Sequence, residues 1–271
     1  MRVKLMDHMI LCVGVLFMTL PALVVFFSST HSGAVLAGEG LQLVLGQNGL
    51  RAYERILFEG RGFSGAVTGL LMIWNSMALA LGFALGKVLL SMLAAYALVY
   101  FRVRFGTLIF WLIFTSLLLP LESRFLATYG VVSNLGLVNT KAGLILPLLA
   151  SAIGTFFFRQ FFLTVPNELV EAARIDGAGP IKFLKDILAP ASAPMVAALF
   201  LLMFVLGWNQ YLWPIMVNSA EEQMTVVQGI MFVGQRSPEG MALAVLAMLP
   251  PVLLVVFFQR YFVKGLTDGR Q

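Results

Sequence analysis

Charge is what this sequence has least of. Only 11% of its 271 residues are Asp, Glu, Lys or Arg, less than half of the roughly 25% usual in a soluble domain. One cysteine, Cys12, and two histidines, His8 and His31, exclude a disulfide framework and a Cys/His metal cluster, so no metal and no cofactor is implied. A nucleotide-phosphate loop is also missing. Gly82 and Gly86 stand one residue too close together before Lys87, and Val88 occupies the place of the required hydroxyl. The 13 acidic residues all fall in loops or at the ends of apolar runs. That placement argues against an ion-coupled secondary transporter or an intramembrane enzyme, both of which need polar groups within spans. Neither a repeat of 20–50 residues nor a low-complexity tract is visible.

What remains is grease: 60% hydrophobic residues, with 23 Phe and 14 Met. A net charge of +5 on such a chain reads as membrane topology and not as a nucleic-acid-binding surface. Stretches near the length of about 20 residues that crosses a bilayer occur at Met9 to Phe27, Asn75 to Val99, Gly106 to Leu121, Ala142 to Phe158, Pro194 to Leu212 and Met241 to Phe258. The expected fold is therefore all-α and polytopic, with six transmembrane helices in one domain over residues 1–271. With the N-terminus inside, the cytoplasmic segments hold Arg2, Lys4, Arg102, Arg104, Arg159, Arg174, Lys182, Lys185, Arg260, Lys264 and Arg270. The external ones hold Arg51, Arg55, Arg61, Arg124, Lys141 and Arg236, and the excess places both termini in the cytoplasm. A cleaved signal peptide, with Val35-Leu36-Ala37 as its cleavage site, competes for the first span. The 19-residue run from Met9 to Phe27 is longer than the usual 7–15 residues of a signal core.

Two connections are too long for turns. Residues 28–71 form an external segment in which Leu50, Tyr53, Ile56 and Leu57 recur at helical spacing opposite Arg51, Glu54 and Arg55, the pattern of an amphipathic helix on the outer surface. Residues 159–193 concentrate charge on the cytoplasmic side, with Glu168, Glu171, Asp176 and Asp186 among the basic residues. Pro166 and Asn167 start a helix there, and acidic residues in its first turn complement the positive helix end. A helix over Glu168 to Ile175 would present Ala172 and Ala173 as a small face and turn at Gly177. Pro180 opens a second helical stretch that Pro190 and Pro194 end before the fifth span.

The string Glu171-Ala172-Ala173-Arg174-Ile175-Asp176-Gly177, followed by Ile187 and Pro190, resembles the EAA loop of permease subunits of bacterial ABC importers, with Ala189 in place of that motif's leucine. Asn75-Ser76, Ala94-Ala95-Tyr96-Ala97, Arg159-Gln160-Phe161-Phe162 and Trp208-Asn209-Gln210-Tyr211-Leu212-Trp213-Pro214 extend the similarity to the carbohydrate, maltose-importer-like class. The stretch Arg159 to Gly179 and the ending Gln259 to Leu266 look like its glycerol-3-phosphate subgroup. The resemblance implies the MetI-like permease fold in the bacterial inner membrane and half of a translocation pore working by alternating access. It further implies a heterodimer with a second permease, two copies of a cytoplasmic ATPase, an external substrate-binding protein, and no nucleic acid. By the same resemblance residues 159–193 are the loop that couples to the ATPase, through Glu171, Ala172, Ala173 and Gly177, and residues 213–240 face the binding protein. The substrate would be sn-glycerol-3-phosphate or a related glycerophosphodiester, with a neutral mono- or oligosaccharide as the alternative. This chain would catalyse nothing itself.

Lys87 sits 12 residues from either end of the second span, about 18 Å along a helix. It must therefore face protein or water. Its helix face carries Ser76, Ala80, Ala84, Ser91 and Ala94, weakly polar and small, as a pathway or a packed interface would be. Lys87 thus has two readings, offsetting a phosphate in the pathway or bonding to neighbouring carbonyls. Arg124 is a second candidate pathway contact that could instead pair with Glu122. Asn209, beside Trp208 and Trp213, suits either the pathway or an interfacial aromatic belt. Gly82 and Gly86 read as helix packing.

Overall fold

The computed structural model describes residues 5–60, 65–101 and 103–268, without the side chains of Leu5, Leu121, Glu122 and residues 260–268. Arg2, Lys4, Arg61, Arg102 and Arg270, used above to read orientation, lie outside the described residues, as do the side chains of Arg260 and Lys264.

The helices run α1 (Leu5–Ser29), α2 (Gly33–Glu39), α3 (Arg51–Phe58), α4 (Gly69–Tyr100), α5 (Gly106–Thr115), α6 (Phe125–Asn134), α7 (Lys141–Ile145), α8 (Ala152–Leu163), α9 (Asn167–Ile175), α10 (Pro180–Phe183), α11 (Ala189–Ala191), α12 (Ala193–Trp208), α13 (Leu212–Val217), α14 (Val226–Val233) and α15 (Pro238–Asp268). Three of the six expected spans are single helices long and apolar enough to cross a bilayer: Met6–Ser29, Gly69–Tyr100 and Pro238–Gln259. The fourth is a bent pair, and the fifth is α12, which follows a sharp bend from the helical end of the loop before it. Lys141–Leu148 meets Ala152–Leu163 at 49°, and Pro180–Ala191 meets Ala193–Trp208 at 77°. The breaks have local causes: Ser151 leaves the helical region to cap Gly154 N–H, and Ser192 separates α11 from α12 with Pro194 in the next first turn. The third is shorter than expected. It runs Gly106–Leu118, ending in a 3-10 turn, Ser116–Leu118, just before Pro120.

Cα packing divides the chain into two compact units, Met1–Ser76 with Ala220–Pro250, and Met77–Ser219 with Pro251–Gln271. In the first, Ser28 Oγ takes the Gln42 N–H at 2.9 Å and Thr30 Oγ1 that of Gly46 at 2.7 Å, folding the chain after α1 back onto its end. α3 buries Ala52 and Ile56, so its inner face meets protein. Tyr53, of the predicted apolar stripe, bonds Ser29 at 2.7 Å. Burial pushes this phenol above the ordinary tyrosine range against the lowering effect of the Ser29 bond. Arg55 and Glu239 form an ion pair at 3.4 Å. Asn75 Nδ2 donates to the carbonyls of Glu222 (2.8 Å) and Met224 (3.1 Å), and Ser76 Oγ accepts from Val226 N–H at 2.8 Å. Asn75 and Ser76 thus secure the turn that leads into α14.

In the second unit, glycines set how closely α4 approaches its neighbours. A Cβ on Gly82 would meet Ile145, and one on Gly86 would meet Leu149, which is the packing role expected of them. α12 also approaches at Gly207, less tightly, where a Cβ would lie 3.1 Å from Ala80 and Phe83. Trp213 is fully buried, donates Nε1–H to Leu144 O at 3.2 Å and lies 5.3 Å from the Phe125 ring. Trp208 is buried too, stacked on Phe204 at 5.9 Å. Both rings are core anchors, so the belt reading does not hold for them: a belt ring needs an exposed edge.

Candidate functional site

The helix expected over Glu168 to Ile175 is present as α9, and its ending follows from one glycine. Gly177 adopts φ +70, donates to Arg174 O at 3.1 Å, and hands on to Ala178, which donates to Ala173 O at 2.9 Å. These two bonds make a Schellman motif, which satisfies carbonyls that a helix end otherwise leaves open. The predicted small face is split, because consecutive residues lie about 100° apart on a helix. Ala173 is buried within the chain, whereas Glu171 and Ala172 are exposed. Ala173 therefore seats the helix, and the outward face is made by Glu171, Ala172 and Ile175. Two large aliphatic side chains stand out from this loop, Ile175 at 86% and Ile181 at 82% exposure.

Beyond the turn the chain departs from expectation at Pro190. The helical run continues through it to Ala191, after a π turn over Leu184–Leu188 in which Ala189 N–H reaches Leu184 O. Pro190 has no N–H with which to close the next α bond, and a widened turn is one way to bring a helix past such a residue. The loop is fixed to the end of α4 by two hydroxyls: Tyr96 donates to Pro180 O at 2.9 Å and Tyr100 to Phe162 O at 3.2 Å. Sequence reasoning noted Tyr96 only within a string of resemblance and passed over Tyr100. Their spacing of four at the end of an apolar helix was the available signal, but it is equally the signal of a belt aromatic.

Lys87 and Arg124, far apart in sequence, line one cleft of about 670 Å³ in the second unit, together with Ala94, Ser116, Ser151 and Thr155. No carboxylate is among its described lining residues. Lys87 is only 7% exposed. Its ammonium donates to Ala150 O at 3.2 Å and lies 4.3 Å from the centroid of Phe83. Ser91, one turn on, donates to Ser151 O at 3.3 Å. Both acceptors sit at the break between the bent pair; Ser151 O, the cap of α8, also takes Thr155 N–H at 3.1 Å and the Thr155 hydroxyl at 2.9 Å. Arg124 ends a 3-10 turn, Leu121–Arg124, and is exposed; Glu122, its alternative partner, has its side chain outside the described residues. Asn209 does not line this cleft. It caps α12 and returns its amide to Val205 O at 3.0 Å. Ser76, Ala80 and Ala84 are buried, so of the small face only Ala94 reaches the cleft beside Lys87.

Residues 87–268 match the family described as binding-protein-dependent transport system inner membrane component. The chain is similar to the sn-glycerol-3-phosphate transport system permease protein UgpE of Brucella melitensis, 42% identical with 98% of this chain and 96% of the relative covered. It is 42% identical to the UgpE of Rhizobium meliloti at the same coverage. With that of Yersinia enterocolitica it shares 43% over 97% of this chain and 96% of the relative. In fold it is similar to the crystal structure of a bacterial ABC transporter involved in the import of the acidic polysaccharide alginate, with a TM-score of 0.72, 24% identity and 95% of each chain covered.

Proposed function

The chain belongs to the binding-protein-dependent transport system inner membrane component family, and on that premise we propose that it is the permease subunit of an ATP-driven importer for sn-glycerol-3-phosphate or a related glycerophosphodiester. Its relatives are transport permease subunits of the inner membrane, and hydrolysis belongs to an ATPase partner. The chain forms half of a pore with a second permease, with both termini and residues 159–193 on the cytoplasmic side. Residues 28–71 and 213–240 lie outside, the latter toward the binding protein. The observation that carries the substrate class is the cleft: two cations, Lys87 and Arg124, with no carboxylate among its described lining residues. Such a lining favours a phosphate over a neutral sugar.

The outward face of α9 supports the coupling assignment. Glu171 can anchor in an ATPase groove, Ala172 permits close approach, and Ile175 and Ile181 supply apolar surface that gains by leaving water. Nucleotide and loaded binding protein shift the inward–outward equilibrium only through their different affinities for the two states, and α9 is where that difference enters this chain. Purification from membranes tests the reading. A second permease and an ATPase should co-elute with the wild-type chain, and Glu171→Lys should insert normally but lose the ATPase and uptake. Wild-type uptake by that variant, or uptake by the chain alone, would contradict it.

A further inference from the structure

The two hydroxyl bonds described above bracket α9. Tyr100 reaches Phe162 O, before the loop helix, and Tyr96 reaches Pro180 O, after it. The two rings lie 5.4 Å apart, and Phe183 sits edge-on to Tyr100 at 5.3 Å. Between α9 and these rings is a cleft of about 210 Å³, lined by Tyr96, Tyr100, Val170, Ala173, Arg174 and Phe183 among others. α9 is thus seated through the buried Ala173 beside an open cleft, and the two hydroxyl bonds with Phe183 tie the chain on either side of it to α4.

From Val88 to Tyr100 the sequence has no proline and no glycine, so this end of α4 has none of the usual causes of a kink. Lys87 lies nine residues before Tyr96, about 14 Å along that helix. Displacement of the loop would thus move the ammonium in the cleft with it. We infer that Tyr96 and Tyr100 are positioning residues, a pair of hydroxyl clamps through which α4 converts movement of the coupling helix into movement of Lys87. This rests on the reading of residues 159–193 as the loop that faces the ATPase.

The test uses the full importer in proteoliposomes, with partner permease, ATPase and binding protein, and measures glycerol 3-phosphate moved per ATP hydrolysed. Tyr96→Phe, Tyr100→Phe and the double variant keep the rings and remove the hydroxyls. Assembly and ATP hydrolysis should persist. Each lost hydroxyl should lower the transport ratio about five-fold, the equivalent of one neutral hydrogen bond. A general loss of stability would instead lower both activities together. Phe183→Leu, which keeps both hydroxyls but loosens the same cluster, should lower the ratio as well. An unchanged ratio in the double variant overturns the inference, as does failed assembly of the tyrosine variants together with a normal ratio for Phe183→Leu. Glu171→Lys, run in parallel, separates the two claims. If it keeps ATPase binding and uptake, the loop assignment fails; if it loses them while the double tyrosine variant stays fully coupled, only the clamp fails.

Discussion

A lysine in the middle of an apolar helix costs about 2.5–3.5 kcal/mol on insertion scales. For Lys87 the bond to Ala150 O and the Phe83 ring together return a similar amount, about 1.5–3 kcal/mol for a charged hydrogen bond and about 0.5–2 for the ring. Lys87 is therefore tolerable in the resting protein without a substrate. An ammonium has three donors, and among the described residues one goes to Ala150 O, which leaves capacity for an anion in the cleft. Lys87→Met should raise the half-saturating concentration of glycerol 3-phosphate about ten-fold or more, the worth of a charged hydrogen bond, with assembly unchanged. Uptake kinetics in membrane vesicles check this, and unaltered kinetics would leave Lys87 a purely structural donor.

At the scale of elements, the Gly177 turn separates backbone demand from space. A Cβ there would meet nothing within 4 Å, so Gly177→Ala carries only the left-handed backbone cost of about 1–2 kcal/mol and should weaken ATPase association partially. Gly177→Pro fixes φ near the opposite sign and deletes the N–H bonded to Arg174 O, and association in a pull-down should be lost. A pull-down indistinguishable from wild type for the proline variant would show that the turn is dispensable. Gly86→Val tests helix approach, because its side chain would overlap Leu149; overpacking of about 1–3 kcal/mol should lower the thermal midpoint of the purified chain. These elements also show what the sequence could and could not disclose. Apolar length located α1, α4 and α15, and Pro166 with Gly177 bounded α9, because those signals are local. The break before α12 was legible in Pro190 and Pro194 and in the loss of charge after Asp186, whereas the bend at Ser151 was not, since apolar residues stand on both sides of it. Whether Trp213 lies in a belt or a core depends on Phe125 and Leu144, remote in sequence. The meeting of Lys87 with Arg124 and of Tyr96 with Pro180 likewise exists only once the chain is folded.

For the whole molecule, α1 is the element least accounted for by the chain itself. Met9, Ile10, Leu11, Val13 and Phe17 are all exposed along it, and such an apolar surface requires lipid or another subunit. A chain of this family with this helix uncovered, an exposed outer face on α9 and no phosphate loop in its sequence suits action in a complex. We propose that this complex uses ATP to import a glycerophosphate. That proposal is tested most directly by reconstituting the chain with its partner permease, ATPase and binding protein in liposomes and following labelled glycerol 3-phosphate. Uptake should need ATP on the ATPase side and the binding protein on the other, and unlabelled glycerol 3-phosphate, but not maltose, should suppress it. Uptake without ATP, or ATP-driven uptake of maltose with none of glycerol 3-phosphate, would contradict it.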